Sequence, residues 1–193
     1  MSLFGKDIQT LRGVGERRAR LFRKLGAPTV GALLRFYPRA YEDLSAPCSI
    51  RSAPADRPCA IKATVTRRPL GTRVRGGMTL YKARAADGES DLELVFFNNP
   101  YISNLLRENE EYVFYGTVSG GFLRRQMASP EFYPAASCPP VLPVYRQTAG
   151  LTSRMIGSAV KNALCLLPEV MRDPIPQEFR MQYALCRLRF ALE

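Results

Sequence analysis

The chain has 193 residues, enough for one ordinary domain or two small ones, and its 46% apolar and 23% charged residues are those of a globular protein. Its 28 Lys and Arg against 17 Asp and Glu leave a net charge of +11, a surplus that points to a polyanionic partner. It contains no histidine, which excludes Ser-His-Asp and Cys-His nucleophilic machinery and any His-ligated metal.

Helical patterns open the chain. Gln9 to Gly26 reads as two short helices broken at Gly13-Val14-Gly15, with Leu11, Val14, Ala19, Phe22 and Leu25 on one face and Gly26 as the stop signal. A further helix is expected from Val30 to Phe36, ending before Pro38. A loop rich in Pro, Ser and Ala follows, from Ser45 to Pro58. From Cys59 the apolar period changes to two: Ile61, Ala63 and Val65 alternate with Lys62, Thr64 and Thr66, the pattern of a half-buried strand.

A Gly-rich basic loop from Arg67 to Gly77 leads to a second strand, Met78 to Ala86, and the Asp87-Gly88 turn leads to a third, Asp91 to Phe97. Pro100 to Arg107 reads as a short helix with Ile102, Leu105 and Leu106 as its stripe. Tyr112 to Val118 and Phe122 to Met127 then form a hairpin around Ser119-Gly120-Gly121. Three strands, a helix and two strands is the order of an OB fold, a five-stranded Greek-key barrel that binds single strands with its face and loops. Pro134 to Pro143 is an extended connector, Thr152 to Leu167 an amphipathic helix, and Gln177 to Leu192 a last helix. The expected class is therefore α+β: a helical segment over residues 1–50, an OB barrel over 51–133, and connector and helices over 134–193.

Charge is distributed unevenly along these parts. Residues 51–86 hold nine basic side chains and one acid, whereas 87–111 hold seven acids and Arg107 alone. The five cysteines, Cys48, Cys59, Cys138, Cys165 and Cys186, contain no CxxC pair and read as small hydrophobes in a reducing cytosol. The start, MSLFGKDIQT, is not a signal peptide, and no run of about eighteen apolar residues occurs. A cytoplasmic monomer without a membrane partner is expected.

Three features carry candidate function. The stretch LRGVGERRA from Leu11 matches a helix-hairpin-helix: Gly13 and Gly15 let the backbone approach a phosphate, Val14 anchors the hairpin, and Arg17, Arg18 and Arg20 surround the start of the next helix. Such a unit holds phosphates without reading sequence, although a plain helical hairpin needs the same glycines. In the basic loop, Arg67, Arg68, Arg73 and Arg75 offer planar guanidinium forks to phosphates and bases. Finally, Phe96 continues the inward set of Leu92 and Leu94, so Phe97 faces outward, with Tyr101 just beyond it. Two aromatics beside a basic loop either stack on bases or pack beneath that loop. Neither a GxxxxGK[ST] phosphate loop nor a GxGxxG fingerprint occurs. Glu89, Asp91 and Glu93 alternate as a solvated strand face does.

The stretches LRGVGERRARLFRKLGAPTVGALLRFYPRAYEDLS, LELVFFNNPYISNLL and LPVYRQTAGLTSRMIGSAVKNAL, in that order, resemble the N-terminal region of the RecG family of ATP-dependent branched-DNA helicases. The resemblance implies a wedge that sits at a fork or Holliday junction in recombination and repair and splits the strands. It places the wedge aromatics, by the FFNxxY pattern, on Phe97 and Tyr101. It also implies motor lobes in cis that use ATP and Mg. No motor is present in this chain, so it is expected to need no cofactor and to be inactive alone. Ser129 stands where relatives often carry a histidine, and Ala40 and Leu44 where they often carry arginine. The alternative is a free-standing OB-fold protein that coats single-stranded nucleic acid.

Overall fold

The computed structural model describes residues 3–55, 57–74, 76–121, 124–168, 173, 175–188 and 190. The fold is α+β and divides into two units: Met1–Tyr41 with Pro143–Glu193, and Glu42–Leu142. The first and last segments, read from sequence as separate parts, therefore belong to one unit. The boundaries move from 50/51 and 133/134 to Tyr41/Glu42 and Leu142/Pro143. The reason lies in the helical apolar stripes, each too narrow to form a core alone and each covered by the other.

In the first unit, 3-10 turns at Leu3–Gly5 and Ile8–Thr10 precede α1 (Glu16–Lys24) and α2 (Val30–Leu34). The first of the two helices expected between Gln9 and Gly26 is thus a single 3-10 turn, capped by the Asp7 carboxylate accepting from the Gln9 N–H. Gly26 does end α1. At φ +87° it lets the Ala27 N–H reach the Phe22 carbonyl and its own N–H the Arg23 carbonyl, the paired bonds of a Schellman cap. Thr29 caps α2 by accepting from the Ala32 N–H. Ile8, Ala19, Phe22, Val30 and Leu33 pack with Leu151, Ile156 and Ala163, all but closed to solvent.

The second unit holds β2 (Pro58–Arg73), β3 (Thr79–Ala86), β4 (Asp91–Phe97), β5 (Glu111–Ser119), β6 (Arg125–Ala128) and β7 (Glu131–Pro134), with β1 (Ala40–Asp43) at its entry and β8 (Val141–Val144) at its exit. β1 and β8 pair with each other where the chain passes from one unit to the other. Strands β2, β3 and β4 form an antiparallel meander, β4 pairs parallel with β6, β6 antiparallel with β5, and β5 antiparallel with β2. The ladder returns to its first strand. α3 (Ile102–Leu105) links β4 to β5. This is the element order expected of an OB fold, with β7 added outside β5. Ile61, Ala63 and Val65 from β2, Leu92, Leu94 and Phe96 from β4, and Phe114, Val118 and Met127 fill the interior.

Several expectations need correction. The basic loop from Arg67 is largely strand, because β2 continues to Arg73 against β3. The helix from Pro100 is one turn, so Leu105 stays 55% exposed while Ile102 and Leu106 are buried. The last helix, α5, covers Gln177–Gln182, and Ala184 at φ +51° breaks the pattern beyond it. Its expected end falls partly outside the described residues, as do Phe122 and Leu123 of the hairpin. α4 spans Ser153–Leu164, capped by the Thr152 hydroxyl accepting from the Met155 N–H.

One carboxylate ties the second unit together. Asp87 accepts from the N–H of Ile50 at 2.7 Å, Ser90 at 2.9 Å and Glu89 at 3.1 Å, joining the β3–β4 turn to the preceding loop. Burial works to raise this carboxyl, but the three N–H donors together hold it below the ordinary 3.8. Asp87→Asn should therefore lower stability by on the order of 2 kcal/mol at neutral pH. A carboxyl more acidic in the folded chain stabilises it above the unfolded value and ceases to do so as pH falls through the folded one. Urea midpoints at pH 7 and pH 3 should consequently differ less in the variant than in the parent; an equal difference would remove Asp87 as an acid-sensitive tie.

Candidate nucleic-acid interface

The geometry of β2 explains how a stretch rich in arginine, glycine and proline remains a strand. Its register against β3 slips between Val65 and Arg67 and again between Arg67 and Leu70. Pro69, which cannot donate to a ladder, is buried at the second irregularity. Beyond it the pairing resumes, Leu70 opposite Lys82 and Arg73 opposite Thr79. Gly71 is needed there because a Cβ would stand 2.8 Å from the Tyr81 ring.

At this end of the meander Arg73 lies one rung from Phe97, whereas Arg67 stands opposite Arg84, four residues further along β3. Thr72, Leu80 and Phe97 form one cross-strand rung, and Arg73 lies opposite Thr79 in the next. With strands about 4.8 Å apart, a rung across three strands is about 10 Å wide. Phe97 is 46% exposed and Tyr101, which precedes α3, is 74% exposed, whereas Phe96 is buried edge-on against Phe132. Packing beneath the basic hairpin is thereby excluded for Tyr101. Asn98 shapes the corner at φ +49°: its side-chain oxygen accepts from the Thr79 N–H and its own N–H donates to the Thr79 carbonyl. The Ser103 hydroxyl donates to the Pro69 carbonyl and fastens α3 to β2. Leu70, and Leu105 from the expected helical stripe, are each about half exposed.

Electrostatically, β2 and β3 carry no acid. Lys62 is paired with Glu111 and Lys82 with Glu93. The Lys82 ammonium, with Arg124 nearby, holds the Glu93 carboxyl below its usual range, so this member of the alternating acids neutralises cations of its own sheet. Arg67, Arg68 and Arg73 are exposed and have no ion-pair partner among the described residues. Arg67 stands opposite Arg84 in the ladder, and Arg84 in turn stands opposite Glu93. Arg75, the fourth expected arginine, lies outside the described residues.

In the first unit the expected helix-hairpin-helix has a 3-10 turn in place of its first helix, with Gly13 at φ +83° and Gly15 as the N-cap residue of α1. Val14 is buried and its N–H donates to the Leu11 carbonyl, so it anchors the hairpin and has no N–H to offer a ligand. Arg18 folds back to donate to the Gly13 carbonyl at 2.7 Å, while Arg17 is exposed. Arg20 is instead paired with Glu16. A recess of about 250 Å³ opens beside the hairpin, edged by Arg12, Arg18, Arg154 and Asn162. The Asn162 amide donates to the Arg12 carbonyl. Arg154 and Asn162 come from α4, far along the chain, and only tertiary packing reveals them. Among the described residues no cluster of three Cys, Asp or Glu is placed to hold a metal ion, and no helix is long and apolar enough to cross a membrane.

A closed five-strand circuit with a basic, aromatic-tipped meander, joined to a helical unit that carries a glycine hairpin, defines an OB-type wedge architecture. Residues 7–167 match the family described as the RecG wedge domain, and the chain belongs to that family. It is 25% identical over 180 residues to the ATP-dependent DNA helicase RecG of Thermotoga maritima, covering 89% of this chain and 22% of the relative. It is 24% identical over 183 residues to the protein of the same name from Bacillus subtilis, covering 93% and 26%. The structure of RecG bound to a three-way DNA junction has the same fold over 97% of this chain and 26% of its own, with a TM-score of 0.83 at 23% identity. The chain thus spans about a quarter of the length of the relatives it matches.

Proposed function

We propose that this chain is the branched-DNA-binding, strand-splitting wedge of an ATP-dependent helicase of recombination and repair. The observation that carries the reading is the position of Phe97 and Tyr101, exposed at the end of the meander that bears Arg67, Arg68 and Arg73. In this reading the two rings stack on the bases that unpair at a branch, and the arginines hold the phosphates beside them. The glycine hairpin, with Arg17 and Arg18, grips backbone phosphate elsewhere on the DNA. ATP and Mg would serve motor domains in cis, outside the part that this chain represents. Family membership and the junction named for the related structure support the assignment.

Competition gel shifts with a fork, a three-way junction and a linear duplex of equal length test it. Branched DNA should bind at least about thirtyfold more tightly than duplex, since two stacked bases contribute about 1–3 kcal/mol each. Equal binding to all three would reject the wedge. A preference for oligothymidine over every branched species would favour a single-strand coating protein instead.

A further inference from the structure

A second aromatic and basic strip lies in the first unit, outside every residue assigned so far. Between α2 and β1 the chain reads Arg35-Phe36-Tyr37-Pro38-Arg39-Ala40-Tyr41, two arginines and no acid in seven residues. Exposure alternates from Arg35 to Arg39, with Phe36 and Pro38 half-buried between exposed Arg35, Tyr37 and Arg39, and Ala40 and Tyr41 are exposed as well. Tyr37 is 68% and Tyr41 66% exposed, values that among the described tyrosines only Tyr101 exceeds.

The strip is exposed yet held at both ends. The Phe36 ring stacks on the buried Tyr145 at 6.2 Å and 14°, the Phe36 N–H donates to the Leu33 carbonyl, and the Arg39 N–H donates to the Val144 carbonyl at 2.8 Å. Of the acids that follow, Asp43 accepts from the N–H and hydroxyl of Ser45, and the Glu42 carboxylate adds to burial in raising the Tyr115 hydroxyl above its ordinary pKa. Two exposed phenol rings, carried on Cα atoms at most about 14 Å apart and interleaved with guanidinium groups, match the stacking platform and phosphate contacts of single-strand binding. A core role fails to explain rings this exposed.

We propose that Arg35, Tyr37, Arg39 and Tyr41 form a second strand-binding strip, which takes single-stranded DNA by stacking bases on the two tyrosines and pairing phosphates with the two arginines. This goes beyond the branch-point reading, which rests on Phe97 and Tyr101. Oligothymidine carrying 5-iododeoxyuridine, irradiated with the whole chain and mapped by mass spectrometry, should cross-link to Tyr37 or Tyr41. Changing both residues to alanine should weaken oligothymidine binding by about tenfold or more, and changing both to phenylalanine should leave it within about twofold. Absence of the cross-link in the parent chain, or an affinity change of less than about twofold in the alanine variant, overturns the strip. Fork preference that depends on Phe97 and Tyr101 would survive that result. Conversely, cross-links at Tyr37 in a chain with no fork preference would overturn the branch-point reading alone.

Discussion

Replacing Phe97 and Tyr101 together by alanine should lower affinity for a forked DNA by about thirtyfold or more, with duplex affinity nearly unchanged. The magnitude follows from two lost stacking contacts of about 1–3 kcal/mol each, at about 1.4 kcal/mol per tenfold. The variant should keep its fold. Both rings already meet solvent, at 46% and 74% exposure, so truncation opens no cavity. Phe96, one residue earlier, supplies the contrast: it is buried against Phe132, and its replacement by alanine should cost about 3–5 kcal/mol of stability. Gel shifts and thermal melts on both variants separate a binding role from a packing role. Fork affinity unchanged in the Phe97/Tyr101 variant would remove stacking from the account.

The second large effect concerns Arg67, Arg68 and Arg73. Changing all three to glutamine should make the dependence of fork affinity on salt shallower by about three ions, since each neutralised phosphate adds roughly 0.9 to the log–log slope. Between 50 and 200 mM salt the parent should then lose roughly fortyfold more affinity than the variant. The three guanidinium groups are exposed and pair with no described acid, so their removal leaves the hairpin's packing intact. Titrations at four salt concentrations measure the slope; parallel lines for parent and variant would mean that the β2 arginines touch no phosphate.

How far the chain could be read in advance depended on the range of the forces involved. Strand β4 is legible in the period-two spacing of Leu92, Leu94 and Phe96, which turns Phe97 outward, although Val95 on the Phe97 face is buried as well. Gly26 ended α1 as anticipated, because a left-handed cap is a local event at a residue suited to it. The sequence pattern of β2 stops before Arg67 because proline and glycine are local loop signals, whereas the strand's continuation to Arg73 depends on β3 hydrogen bonds formed a dozen residues later. The four-residue strands β1, β7 and β8 lack an apolar period long enough to detect, and prolines lie within or beside them.

At the candidate sites, residue types were legible but neighbours were not. Arg17, Arg18, Arg67, Arg68 and Arg73 were visible as basic runs beside glycines. Nothing in the sequence joined Arg154 and Asn162 to the Gly13 hairpin, because that union depends on the packing of α4 against the N-terminal helices. The Tyr37 and Tyr41 strip was equally silent. Its aromatic residues look like strand or core residues until their exposure is measured.

Phe97 and Tyr101 are expected to meet unpaired bases at a branch. A fork carrying 2-aminopurine at the branch point, and a second carrying it ten base pairs into one arm, test that claim directly. Saturating the first fork with the parent chain should change the fluorescence of the probe, and the Phe97/Tyr101 alanine variant, at concentrations that also saturate, should not. The probe within the arm should respond to neither. A branch-point signal that is the same for parent and variant, or equal to the signal from the arm, would contradict the wedge.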